Sequence, residues 1–418
     1  MPRSSTSSLD QVRAEQLARL RERLPEVLRA NRFWRERLHD VRGWDDFGRL
    51  PLTGKDDLVR DQARHPPFGS NLTYPLESYV RLHQTSGSSG GRPLVWLDTA
   101  ESWQWWCRLW AERVYPAAGV QPEDRVFLAF SFGPFIGFWS AFAGAEKLGA
   151  LVISGGAMTS EQRMQTMLGL GATVLLCTPT YALRLAELSS ELGLDLAASA
   201  IRATIHAGEP GASVPATREA IERAYGATAF DHTGMTELGP TGFSCAQRDG
   251  VHLIETEFVF EVLPAGSAST REEGEGELVA TNLGRWGSPL LRYHTGDRVR
   301  LSREPCSCGS PFPKLLGGLQ GRVDDMLTVR GVNLFPSQVE EVVRRHPEIG
   351  EFVIEQRRLR EMDEVTLLVE CSGGEAPLAR LAVELRNVLG VRIGCRQVAT
   401  GSLPRSELKA RRLRRVQA

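Results

Sequence analysis

RVFLAFSFGPFIGFWSAFAGAEKLGALVISGGAMTSEQRMQTMLGLGATVLLC, residues 125–177, holds three short apolar runs separated by two longer stretches. RVFLAF (125–130) has the length and side chains of a buried strand, and LVIS (151–154) and TVLLC (173–177) read as a second and a third strand. Between them, 136–148 and 161–168 place apolar residues at helical spacing. Strand followed by helix, repeated, predicts a mainly parallel sheet covered on both faces. Ligands on such a sheet sit in the loops beyond the carboxyl ends of the strands.

Upstream, 8–38 carries leucines and aromatics at helical spacing, with Ser8 or Asp10 as a cap. PLTGKDDLV (51–59) reads as a turn leading into a helix start. Residues 78–82 and 94–97 read as strands on either side of a Gly-rich loop. After about 249 the pattern changes to short strands, 258–263, 276–282 and 298–301, separated by Gly, Pro and charge. The block 332–398 then gives helix, strand, strand, helix and strand, with helices at 336–345 and 375–389. The expected fold class is α/β. A large N-terminal domain (1–321) has mainly parallel sheets plus an antiparallel β subdomain (about 249–320), and a small α+β C-terminal domain (322–418) follows. The boundary falls near GRVDD (321–325), where a turn-rich stretch meets a new strand.

A chain of 418 residues is too long for one compact core. Fifty basic residues against 51 acidic ones leave a formal charge of -1, which gives no reason to expect nucleic acid or an anionic membrane as partner. Arginines crowd 405–415, and on composition alone this end reads as a solvated tail. No apolar run reaches membrane-spanning length, and 1–10 is polar without the apolar segment of a signal peptide. Seven cysteines is an odd number for a disulfide framework, so reduced thiols and a cytoplasmic location are expected.

The loop TSGSSGGRP (85–93) has three glycines and four hydroxyl residues in nine positions. Glycines let backbone N–H groups approach phosphate oxygens, and hydroxyls add donors. The order of a Walker loop is absent, and a flexible hairpin explains the composition equally well. Cys306-Ser-Cys308, with Cys245 and His252 upstream, supplies three thiols and one imidazole, enough for a closed tetrahedral zinc site. The C-x-C spacing taken alone favours unligated thiols. FGPFIGFW (132–139) follows a strand and reads either as the wall of an aromatic acid pocket or as helix core. Trp103, Trp105, Trp106 and Trp110 read as packing residues on a helix.

Six segments in order resemble the adenylate-forming (acyl-CoA synthetase) superfamily, in its phenylacetate–CoA ligase-like branch. They are the loop at 85–93, GEP (208–210), DHTGMTE (231–237), RYHTGD (292–297), GRVDDMLTVRGVNLFP (321–336) and LPRSELK (403–409). The resemblance implies ATP, Mg2+ and coenzyme A, and a homodimer for this branch. Thr85, Ser86, Gly87, Ser88, Ser89, Gly90 and Arg92 would hold nucleotide phosphates. Gly208, Glu209, Pro210, Asp231, His232, Thr233 and Thr236 would flank the nucleotide. Asp297 and Arg322 would take the ribose hydroxyls. Glu237 would hold Mg2+, Lys409 would be the catalytic lysine, and Asp324 the hinge. His232 stands where many relatives carry tyrosine, and Arg92 where they carry lysine. Phe132, Phe135, Phe138, His206, Ala207, Gly234 and Met235 would line the acid pocket. The same resemblance raises zinc at Cys245, His252, Cys306 and Cys308.

The implied chemistry is attack of a carboxylate oxygen on the α-phosphorus of ATP, which expels pyrophosphate. Two anions meet in that step, so positive charge must be supplied where negative charge accumulates. A Lys ammonium on a mobile segment suits such a task. The acyl group of a small carboxylic acid, aryl or arylacetyl, then passes to a thiol. Coenzyme A is the expected acceptor. A carrier-protein phosphopantetheine, or another oxyanion such as nitrite with a non-thiol acceptor, remain the alternatives.

Overall fold

Apolar residues recurring at helical spacing fold 9–30 into a 22-residue helix, Leu9–Ala30, that buries Val12, Leu20, Leu24 and Val27. The computed structural model describes residues 9–38, 40–85, 93–134, 136–137, 139–329, 332–359, 362–405, 410 and 412–416. The chain divides into two compact units. One comprises 1–157, 232–295 and 299–316, and the other 158–231, 296–298 and 317–418.

In the first unit, Arg125–Leu128 and Leu151–Ser154 pair in parallel, as the apolar runs predict. The helix between them is Trp139–Leu148. It starts later than the apolar spacing suggests because Gly137 has φ +38. A Cβ on Gly137 would lie 2.3 Å from the Phe130 ring. The helix Ala100–Leu109 is capped by Thr99, whose hydroxyl accepts from Ser102 N–H, and continues into a π turn at Trp110–Val114. Its four tryptophans are buried, as expected for packing residues. Gly144 permits that packing, since a Cβ there would sit 2.4 Å from Cβ of Trp110. Tyr79–Gln84 and Val95–Thr99 form an antiparallel pair.

The later strands of this unit are antiparallel, as expected. Phe258–Leu263 pairs with Gly274–Asn282. Val251–Leu253 lies between Gly239–Ser244 and Lys314–Leu315, and the latter also pairs with the end of Tyr293–Ser302.

In the second unit, Val174–Cys177, Ala203–His206 and the start of Thr228–Met235 run parallel. Helices Pro179–Glu191 and Pro215–Tyr225 follow the first two of these strands. Every residue of the first two strands is buried, as a covered parallel sheet requires; the first is a continuous apolar run, and in the second the polar Thr204 and His206 side chains meet each other at 2.8 Å. The C-terminal α+β block orders its sheet as Gly394–Val398, Met362–Cys371, Ile349–Leu359 and Leu413–Val416. Helices Pro336–Val343 and Glu375–Leu389 supply Val339, Val342, Leu381 and Leu385 to its core. The second of these helices ends at Gly390, which adopts φ +72.

The arginine-rich end departs from the solvated tail expected. Leu413–Val416 adds a strand parallel to Ile349–Leu359. Arg412 is buried and pairs with Glu351, and Arg405 meets Glu370 at 2.7 Å. Composition shows the arginines but not the carboxylates waiting on neighbouring strands. Among the described residues no helix is long and apolar enough to cross a membrane.

Candidate active site

The GEP turn lies just beyond the carboxyl end of Ala203–His206, where a parallel sheet presents its ligand loops. Gly208 turns the chain there with φ +100. The Glu209 carboxylate accepts from the backbone N–H of Thr180 at 3.0 Å, in the first turn of Pro179–Glu191, and from that of Ala410 at 2.7 Å. Packing around that carboxyl pushes its pKa up. Asp231 accepts from Ala212 N–H at 2.7 Å and Ser213 N–H at 2.6 Å, so its carboxylate shapes the loop after the turn. His206 is fully buried, with Nε2 2.8 Å from the Thr204 hydroxyl. Burial lowers its pKa to about 4, so the imidazole is neutral near pH 7. Ala207 is half-buried and Gly208 exposed.

Asp297, within Tyr293–Ser302, and Arg322, in the two-residue strand Gly321–Arg322, pair across antiparallel neighbours, with Nη1 of Arg322 3.3 Å from Oδ1 of Asp297. Gly296 makes this possible: its φ is +75, and a Cβ there would lie 2.5 Å from the guanidinium. Two residues on, Asp324 sits in the turn Val323–Asp325 with 81% of its side chain exposed; its carboxylate lies 3.9 Å from the Arg322 guanidinium, and its carbonyl accepts from Arg415 at 2.8 Å.

In the first unit, Thr85 closes the base of the Gly-rich loop. Its N–H donates to Leu94 O, and its hydroxyl accepts from Leu94 N–H, both at 2.9 Å. The strand Thr228–Met235 carries the next motif into a turn. The His232 ring is buried against Trp110, 4.2 Å between centroids, and Nδ1 donates to Gly242 O at 2.9 Å. Burial holds its pKa down at about 3. The Thr233 hydroxyl accepts from Thr241 at 3.1 Å. Gly234 is exposed, while Met235, Thr236 and Glu237 are half-buried. The Glu237 carboxylate has no hydrogen bond or ion pair to another described residue, and it is a hard oxygen donor beside a hydroxyl. That donor set fits Mg2+.

Phe132 stands 4.6 Å from Trp139 and 5.9 Å from Phe142, ring centroid to centroid, with Phe130 at 6.5 Å. These edge-on rings form an aromatic cluster after the strand Arg125–Leu128.

Cys245, His252, Cys306 and Cys308 converge, with all four donor atoms within 4.8 Å of one another. Sγ of Cys245 is 3.8 Å from that of Cys306, and Sγ of Cys308 is 3.4 Å from Nε2 of His252. Sulfurs about 2.3 Å from a tetrahedral zinc ion lie about 3.8 Å apart, so the cluster has the dimensions of such a site. His252 Nδ1 donates to Phe312 O at 3.0 Å, which leaves the Nε2 lone pair for a metal. The donors fit zinc.

Ser86, Gly87, Ser88, Ser89, Gly90, Arg92, Phe135, Phe138 and Lys409 lie outside the described residues. Two buried arginines were not singled out from sequence. Arg292 opens RYHTGD in a left-handed conformation, φ +45, and meets Glu261 at 2.9 Å while donating to Gly48 O and Leu50 O. Arg285 donates to the backbone carbonyls of both Thr236 and Glu237. Neither has a sequence signature, because the partners are backbone carbonyls and distant carboxylates.

The Glu209 bridge makes a prediction. Glu209→Gln retains one accepting oxygen and turns an NH2 toward one of the two backbone donors. An unmet buried donor costs about 1–3 kcal/mol. ATP–pyrophosphate exchange is expected to fall about tenfold, and an unchanged exchange rate refutes the bridge's role.

The AMP-binding enzyme C-terminal domain family matches residues 331–415. The phenylacetate–coenzyme A ligase of Escherichia coli (strain K12) is 32% identical over 430 residues, covering 98% of this chain and 95% of that protein. The phenylacetate–coenzyme A ligase of Thermus thermophilus is 32% identical over 448 residues, covering 99% and 98%. A crystal structure of a 2-hydroxyisobutyryl-CoA ligase in the postadenylation state, in complex with R3-HIB-AMP, superposes with a TM-score of 0.92 at 30% identity. It covers 100% of this chain and 94% of that one.

Proposed function

Because the chain belongs to the phenylacetate–CoA ligase family and is an AMP-forming acid–CoA ligase, we propose that its acid is aromatic, an aryl or arylacetyl carboxylate. ATP and coenzyme A are its other substrates. A carboxylate oxygen forms a bond to the α-phosphorus as the bond to pyrophosphate breaks. The coenzyme A thiol then attacks the acyl carbon, loses its proton, and releases AMP.

The observation that carries the aromatic assignment is the cluster of Phe130, Phe132, Trp139 and Phe142. His206, Ala207, Gly234 and Met235 are proposed as further pocket residues, with His206 acting from behind the surface through its buried ring. The Asp297–Arg322 pair is assigned to the ribose hydroxyls, with Asp297 accepting and Arg322 donating. The loop at 85–92 is assigned to the β- and γ-phosphates. Glu209 and Asp231 order the nucleotide-side loops through backbone N–H groups, and the neutral His232 ring is assigned to the adenine side. Glu237 and Thr236 are the residues that would hold Mg2+, which supplies charge neutralisation at the phosphates. Lys409 is assigned to the α-phosphate, and 322–418 is the domain that turns about Asp324 between the two half-reactions.

Zinc at Cys245, His252, Cys306 and Cys308 is structural in this proposal. Its reduced thiolates, together with use of ATP and coenzyme A, favour the cytoplasm. A homodimer is expected, and light scattering of the purified protein tests it.

Pyrophosphate release with a panel of acids, each with and without coenzyme A, tests the assignment. Phenylacetate or benzoate derivatives should exceed 2-hydroxyisobutyrate by at least about tenfold in kcat/KM, roughly the discrimination a filled apolar pocket provides. Preference for the aliphatic acid overturns the aromatic pocket. Pyrophosphate release without thioester on coenzyme A would point to a carrier-protein phosphopantetheine. Release with nitrite alone would point to the non-thiol chemistry.

A further inference from the structure

The turn that bears Glu237 is held by its backbone. Arg285, with a fully buried side chain, donates from Nη1 to Thr236 O at 2.6 Å and to Glu237 O at 2.9 Å. Its other edge engages the buried Asp98, Nε to Oδ1 and Nη2 to Oδ2, both at 2.7 Å. The rings of Trp96 and Trp106 lie 5.0 and 5.4 Å from the guanidinium carbon. The next carbonyl, Leu238 O, accepts from the Asn282 side chain at 3.3 Å. Three successive carbonyls of one turn are thus tied to side chains from 282–285.

A peptide plane whose carbonyl is fixed also fixes the Cα–Cβ direction of the residues on either side. Fixing both 236 and 237 therefore aims the Glu237 side chain. A guanidinium has five N–H donors in one plane and can satisfy a carboxylate and two carbonyls together. An ammonium in the same place has three donors and cannot span both edges. An arginine wanted only to neutralise Asp98 would need no carbonyl partners on a site turn.

We propose that Arg285, anchored by Asp98 and assisted by Asn282, is a positioning residue that sets the Glu237 carboxylate for the metal of the ATP complex. This rests on the assignment of Glu237 to Mg2+ made above.

Calorimetric ATP binding with Mg2+ and with EDTA tests it, since the ratio of the two affinities reports the metal contact without turnover. Arg285→Lys keeps a cation beside Asp98 but loses the carbonyl tether. It should shrink the Mg2+-dependent gain in ATP affinity about tenfold, with metal-free affinity changed less than about twofold. Asn282→Asp removes one donor and should shrink the gain by about threefold in the same direction, which keeps the test alive if Arg285→Lys does not fold. Glu237→Gln is the control for the underlying assignment. If it leaves the Mg2+ gain intact, that assignment falls. If Glu237→Gln abolishes the gain while a folded Arg285→Lys, or Asn282→Asp in its place, keeps it, the positioning role alone is overturned. A lower melting temperature with the gain unchanged makes Arg285 structural and also overturns the proposal.

Discussion

Lys409→Ala is expected to lower adenylation by roughly 100-fold or more while thioester formation from supplied acyl adenylate is largely spared. The magnitude is that of removing one donor aimed at charge that develops only in the transition state. The asymmetry follows from where charge accumulates. Adenylation joins a carboxylate to a phosphate, whereas thioester formation from the adenylate releases AMP and needs no cation at that phosphorus on the way in. The described residues flanking Lys409 are anchored. Upstream, Glu370 accepts from Leu403 N–H at 2.8 Å and pairs with Arg405. Downstream, Ala410 N–H reaches Glu209, and Arg412 pairs with Glu351. Glu370 and Glu351 lie on strands of the C-terminal block and travel with the lysine if that block turns. Glu209 follows a strand of the N-terminal part, so its bond to Ala410 must break, as must the bond from Ala216 N–H to the Glu341 carboxylate and the Arg405–Glu187 pair. Pyrophosphate exchange and thioester formation from synthetic adenylate, measured separately on Lys409→Ala, decide the matter. Equal losses in both would overturn the turning of 322–418.

What could be read without coordinates was set by how local the signal is. The parallel strand at 174–177 was legible because a strand buried on both faces must be apolar throughout, and those at 125–128 and 151–154 as short apolar runs, although 151–154 lies at the sheet edge with Leu151 and Ser154 exposed. The antiparallel strand Phe258–Leu263 and the helix Glu375–Leu389 fall at the residues expected. The strand Leu413–Val416 was not legible, because only two apolar residues flank two arginines and its partner lies about 60 positions upstream. The pair assigned to the ribose was legible as two residues in two motifs, but only the fold brings Asp297 opposite Arg322. Glu209 and Asp231 were placed at the nucleotide on resemblance, yet both carboxylates reach backbone N–H groups, a use that no side-chain pattern announces. Arg285 was missed for the same reason. Its two kinds of partner, Asp98 and the carbonyls of 236–237, lie about 190 and 50 residues away in sequence.

Cys245→Ser is expected to lower the melting midpoint by about 8–16 °C and to remove near-stoichiometric zinc from the purified protein. Cys245 and Cys306 stand 61 residues apart, and His252 and Cys308 are 56 apart. A metal bridging these positions restricts the unfolded chain as a covalent link does. For a loop of that length the restriction is worth about 4 kcal/mol. At about 2–4 °C per kcal/mol for a unit of this size, that gives the stated fall. Serine leaves the volume nearly unchanged, so a packing defect does not account for a drop of this size. A chelator added to the wild-type protein should reproduce most of the shift, because zinc bound only to the folded state stabilises it in proportion to its affinity. The fall should appear in the melting curve before it appears in the rate, since Cys245 follows the strand Gly239–Ser244 and bonds none of the residues assigned to ATP. Wild-type protein that contains no zinc by elemental analysis, and melts at the same temperature with and without chelator, would leave the four residues as a cluster of unligated thiols and one imidazole.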